Sequence, residues 1–159
     1  MKFNKTNAPL SRDLIQTTES RLGKKLPKEL LQAYSDTSIE IQYPNKYGFL
    51  DTDKITGSIA SIIPFDKLPM HYSIFFEDHQ IQDLLPFARD DGGNLIVISL
   101  NEAASEFGSI YFYDTEFRTL NKIALSISNF IQKITPSPAS ELDPKDIEEL
   151  IKKLSRAQT

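Results

Sequence analysis

The side chains in this chain whose types lend themselves to chemistry are two histidines, a pair of adjacent acids beside two glycines, and a set of aromatics scattered among acids. His71 and His79 stand eight apart, with Glu77 and Asp78 between them. A transition-metal site needs three or four convergent ligands, and this spacing fits no metalloprotease-like pattern, so both histidines read as structural or surface residues. Cysteine is absent, which removes disulfides, thiolate-bound zinc and thiol catalysis together. The stretch "LLPFARDDGGNLIVISL" sets Asp90, Asp91, Gly92 and Gly93 between two apolar runs. A phosphate-cradling loop has a helix after its glycines, whereas here a strand-like run follows. A calcium loop wants acids at alternate positions, and adjacent acids on an extended chain point apart. Asp-Gly, Gly-Gly and Gly-Asn are hairpin dipeptides because they tolerate positive φ, so the stretch reads first as a turn. The chain has no serine-nucleophile elbow, no phosphate-binding Gly-Lys-Ser/Thr loop and no dinucleotide fingerprint. A Ser/His/Asp triad assembles from scattered positions and stays open, but no residue favours one. The expectation is a protein without metal, cofactor or enzymatic activity.

Charge is informative through its distribution. Residues 66–116 carry ten acids and only two bases, Lys67 and Arg89, while the segments on either side are each slightly basic. An acidic stretch repels phosphate backbones and attracts basic partners, so direct nucleic-acid binding is not expected. Tyr111, Phe112, Tyr113 and Phe117 fall among these acids. Tyrosines on a sheet commonly line the core margin, but aromatic anchors ringed by charge are also what protein interfaces favour. Binding, rather than turnover, is the direction in which the residues point.

A fold must position these groups. Ser11 is placed to cap a helix carrying Leu14, Ile15, Thr18 and Leu22, stopped by Gly23. Pro27 then opens a second helix, at its first helical position, presenting Leu30, Leu31 and Tyr34. "SIEIQY" alternates as a half-buried strand should, "GFLDT" and "ITGSIASII" read as short strands or loop, and 66–82 stays open between loop, helix and strand. Strands are expected at 84–88, 94–100 and 109–114. The run "NLIVISL" is apolar on both faces, as in a strand with a covered back. In the last strand Ile110 and Phe112 face the core, opposite a tyrosine pair. Residues 122–134 carry helical spacing through Ile123, Ile127, Phe130, Ile131 and Ile134. Residues 135–143 read as a proline-rich linker to a helix over 144–156, with Ile147, Leu150, Ile151 and Leu154 in one stripe. That helix is expected to pack on its own domain, docking on a partner being the alternative. One domain is expected, since a chain of 159 residues buries roughly two thirds of its unfolded surface. No apolar run approaches the roughly 20 residues that span a bilayer, and the first residues lack the apolar core of a secretory signal. The expected location is the cytoplasm, with no membrane contact.

Three stretches resemble one family. "ESRLGKKLPKELLQAY" is similar to the N-terminal signature of the SUKH superfamily through Glu19, Leu22, Gly23, Leu26, Pro27, Leu30 and Tyr34. The second stretch matches through Pro86, Phe87, Ala88, Asp90, Gly92, Gly93, Asn94, Gly108, Tyr111 and Asp114. The third, "IALSISNFIQKI", matches through Ala124, Ser126 and Phe130. The chain departs from the pattern where "SDTSIEI" replaces an Asn-Gly-Gly-like turn, where Ile127 follows Ser126, and in lacking tryptophan. The resemblance implies an α+β fold: two N-terminal helices, a twisted, mainly antiparallel sheet, and a helix packed on the sheet, here with an extra C-terminal helix. It implies a non-enzymatic protein-binding role, either as an immunity protein neutralising a toxin or as a regulatory scaffold like the eukaryotic relatives. Toxins acting on nucleic acid are often basic because their substrate is a polyanion, and an acidic inhibitor would then be steered onto them. The residues expected at such a contact are Asp90, Asp91, Glu102, Glu106, Asp114 and Glu116, with Tyr111 and Tyr113 as anchors. An enzyme of unrecognised type is the third reading.

Overall fold

A computed structural model describes residues 10–35, 47–51, 54–90, 92–103, 105–136, 148, 151, 152 and 154–156. Ser11 accepts a hydrogen bond from the Leu14 amide at 3.1 Å and starts helix α1, Arg12–Leu22. Gly23 ends it in the left-handed region at φ 66°, where a side chain would be strained. Helix α2, Lys28–Ser35, starts one residue later than the sequence suggests. The Pro27 carbonyl accepts from the Leu31 amide at 3.2 Å, so the proline lies just outside the first turn. Next come β1 (Tyr47–Asp51), β2 (Lys54–Ile59) and β3 (Ser61–Ile62). The open segment resolves into a 3-10 turn, Phe65–Lys67, and helix α3, Leu68–His79. Strands β4 (Leu84–Arg89), β5 (Leu95–Ser99), β6 (Ile110–Asp114) and β7 (Thr119–Ala124), helix α4 (Ile127–Lys133) and β8 (Ile134–Pro136) follow. The expected strand at "SIEIQY" lies outside the described residues, as do 137–143, the greater part of the expected linker, and most of the helix expected over 144–156.

Among the described residues two antiparallel sheets form, β2-β1-β8 and β3-β4-β5-β6-β7. With helices before, between and after the strands, the fold is α+β. Pro86 has no amide to donate, and β4 shifts register between Pro86 and Ala88, so Phe87 bulges; its carbonyl accepts from the Ile63 amide at 2.8 Å. The larger sheet is covered on both faces. Ile96 and Ile98 enter the main core with Leu30, Leu85, Phe87, Ile110 and Phe130. Val97 points the other way into a second cluster with Phe75 of α3, Leu84 and Tyr113. This explains why β5 is apolar throughout.

Two expectations are corrected. Residues 122–124 are not helical: they close β7, which pairs with β6 from Asp114↔Thr119 to Ile110↔Ala124. Inward strand residues Ile123 and Ala124 run directly into the buried face of α4, and the join imitates a single helical period. Ser126 marks the true helix start, accepting from the Asn129 amide at 3.1 Å. The second correction concerns Tyr113: the core-margin reading of the β6 tyrosines fits, but Tyr113 as an exposed anchor does not, because α3 packs over this face and leaves it only 1% exposed.

Candidate functional site

The eight residues expected at a contact surface are divided by the antiparallel topology. The β4–β5 and β6–β7 turns lie at one end of the sheet, and the β5–β6 connection at the other. Four residue steps of β5 separate the two ends, roughly 13 Å.

The first end is one bonded unit. The Asp90 carboxylate accepts from the Asn94 amide at 2.8 Å and from its side-chain nitrogen at 3.0 Å, closing the turn around Gly93 at φ 84°. Asn94 Oδ1 then accepts from the Thr115 amide at 3.1 Å, and Thr115 Oγ1 donates to the Gly93 carbonyl at 3.3 Å. Asp114 accepts from the amides of Glu116 and Phe117 at 2.9 and 3.0 Å. The opening acid-glycine stretch is therefore a turn, and two of the expected acids spend their lone pairs on backbone geometry. Glu116 is exposed beside them, and Asp91 lies outside the described residues. Phe117 is 72% exposed at the tip of the β6–β7 turn. The sequence shows it among the acids, but nothing in one sequence says which of four neighbouring aromatics the sheet will bury.

At the second end, Glu106 pairs with Lys122 at 2.5 Å and accepts from the Tyr111 hydroxyl, and the Lys122 ammonium lies 5.7 Å from the Tyr111 ring centre. Lys122, and after it Tyr111, hold the Glu106 carboxyl below its ordinary range, while Glu106 raises Lys122. Tyr111 is raised, first by burial and then by its bond to Glu106. Glu102 is exposed at the rim of an open cleft of about 540 Å³, lined also by Gln16, Glu19, Ser20, Lys24 and Asn101. The cleft's charges are largely satisfied internally: Lys24 pairs with Asp83 at 2.5 Å, and Glu19 accepts from Lys25 at 3.3 Å and from the Leu26 amide at 3.0 Å.

Tyr113, expected as an anchor, faces inward. Its hydroxyl lies 3.0 Å from His79 Nδ1, and its ring meets Phe75 edge-on at 5.1 Å. That contact also places His79 in the α3–sheet packing. Among the described residues there is no group of three or more His, Cys, Asp or Glu placed to hold a metal ion, and no helix long and apolar enough to cross a membrane.

The residues that carry the family resemblance have identifiable work in the fold. Glu19 ties down the α1–α2 loop, Leu26 and Leu30 enter the core, and the buried Tyr34 hydroxyl donates to the Ile63 carbonyl at 2.6 Å. Gly108 adopts φ 84°, a backbone conformation that side chains rarely take. No curated protein matches this sequence. A model of the SMI1 / KNR4 family (SUKH-1) matches residues 9–133, which cover every helix and strand described above except β8. The chain belongs to the SMI1 / KNR4 family, SUKH-1.

Proposed function

We propose that this chain is a non-enzymatic, cytoplasmic immunity protein that neutralises a basic partner toxin through the end of the sheet where the two turns are bonded together. One observation carries the reading: the Thr115–Asn94 bond joins the turn that opens at Asp90 to the turn that carries Asp114, Glu116 and the exposed Phe117. A large apolar side chain left in water gains on being covered, and fully burying a phenylalanine is worth about 1.5–3 kcal/mol. Acids around it steer a basic partner and exclude acidic ones. Asp90 and Asp114 hold the turns in shape, Phe117 supplies the anchor, and Glu116 with Asp91 supplies charge. Glu102, Glu106 and Tyr111 lie at the far end and would join the contact only with a partner wide enough to span the sheet face. Family membership supports a protein-interaction role, and the acidic middle third supports a basic partner.

The test is an affinity capture from the native host with the wild-type chain beside a Glu116→Lys, Phe117→Ala variant. The expected result is a basic partner held by the wild type and lost by the variant. Expressed alone, that partner stops growth; growth returns when this chain is co-expressed. Retention of the same partner by the variant would move the contact away from the turns. A salt-insensitive, multi-protein capture without toxicity would favour a regulatory scaffold.

A further inference from the structure

Strand β7 ends the larger sheet, and among the described residues it pairs with β6 alone. Alternate amides and carbonyls along its other side therefore face away from the sheet, and such an edge is a template for a further strand. Folded proteins guard edges with lysines, prolines or bulges. Here the guards stand at one end only. Lys133 donates to the Ile123 carbonyl at 2.6 Å, the register shift falls past Lys122, and the Lys122 charge is taken up by Glu106. Thr119, Leu120, Asn121 and Lys122 are all exposed. Just beyond the two ends of the strand stand Phe117, 72% exposed, and Leu125, 71% exposed.

We propose that the strand added to this edge is β7 of a second copy, in a two-fold antiparallel pair centred on Asn121. The register follows from charge. Opposed side chains in an antiparallel pair share a face, so a two-fold axis through the pair sets one residue against itself. Centred on Leu120, it would oppose Arg118 to Lys122 of the second copy, and centred on Lys122 it would oppose two lysines, both unfavourable. Centred on Asn121, it opposes two amides and lays the Lys122 stem over Leu120 of the second copy. The same register brings Phe117 of each copy beside Leu125 of the other. Leu125 shares a shallow cleft with Lys28 and Glu29, all three exposed, and Phe117 is flanked by Glu116 and Arg118. Glu116 thus approaches Lys28 of the second copy, and Arg118 approaches Glu29, which otherwise accepts only from the Ser128 amide at 3.3 Å among the bonds described. Three large apolar side chains per copy on a short strand belong to the small class of interface, so a dissociation constant of about 10–100 μM is expected. The pair covers Phe117, so it regulates the contact proposed above: a toxin has to displace the second copy. Self-association is measured on the chain alone and holds or fails independently of the toxin reading.

The test is sedimentation of the full chain from about 1 to about 500 μM, with the expectation of a reversible monomer–dimer equilibrium. Leu125→Arg and Phe117→Glu should each weaken it about ten-fold or more without altering the circular dichroism of the fold. An equimolar mixture of the two variants should dimerise again, because one contact is then native and the other is an Arg–Glu pair. The absence of cysteine allows a register test: Asn121→Cys should form a covalent dimer under mild oxidation about ten times faster than Glu116→Cys, whose thiols lie far apart in this pairing. A chain that stays monomeric throughout, a mixture that fails to recover, or equal oxidation of the two cysteine variants would overturn the proposal.

Discussion

Asn94 accepts a hydrogen bond from the Thr115 amide at 3.1 Å, joining two turns that are 21 positions apart in sequence. Asn94 also bonds Asp90 through its side-chain nitrogen, so one residue holds both the turn it belongs to and its neighbour. Asn94→Ala removes all of these side-chain bonds and leaves the Thr115 amide to water. The expected cost is about 1–2 kcal/mol, read as a lower denaturation midpoint. Faster hydrogen exchange in 90–94 and 115–118 should accompany it, with α2 unaffected.

Glu116 and Phe117 are exposed and support no packing. Glu116→Lys and Phe117→Ala should each leave stability within about 0.5 kcal/mol of wild type while weakening the partner. The charge change should act chiefly on the association rate and its salt dependence, the phenylalanine on dissociation. Parallel unfolding and binding measurements check the separation, and a large loss of stability in either variant would place that residue in the scaffold.

Tyr34 donates to the Ile63 carbonyl from inside the core, and burial pushes its hydroxyl well above the ordinary value of 10.0. Tyr34→Phe should cost about 1–2 kcal/mol without touching partner affinity. A folded value above the unfolded one means that this contribution is fully present below pH 10 and is lost as pH rises further, because only the unfolded chain ionises easily. The wild type should therefore lose more stability than Tyr34→Phe between pH 9 and 11, and parallel curves in denaturant titrations would contradict that.

For Glu106 the sign is opposite. Lys122 and then Tyr111 hold its carboxyl below the ordinary value of 4.5, so the stabilisation is present above that pH and fades as pH falls through the folded value. The stability difference between wild type and Glu106→Gln should be largest near neutrality and shrink below pH 4. Both partners are partly exposed, so added salt should shrink it as well.

Local signals carried most of the fold. Ser11 before α1, Gly23 after it, the acid-glycine-asparagine turn and the two-faced apolar run of β5 each express chemistry complete within a few residues, and each stands where the sequence placed it. The join between β7 and α4 misled because strand and helix pass apolar residues to the same core without a gap. Helix α3 was equally illegible: its apolar residues lie on the outward side, as Met70, Ile74 and Phe76, as well as on the inward side, which blurs the period. The family was legible because its motif residues are scaffold residues, whose type is dictated by φ angles, caps and core space. The contact surface was not. Eight residues were grouped by proximity in sequence, but antiparallel strands return to the same end only at alternate turns. The tertiary structure therefore put Asp90, Asp114 and Glu116 on one side and Glu102 and Glu106 on the other. It also buried Tyr113 and exposed Phe117, because which side of a strand becomes an interior depends on what packs over it, and here that is a helix 34 residues earlier in the chain, through His79.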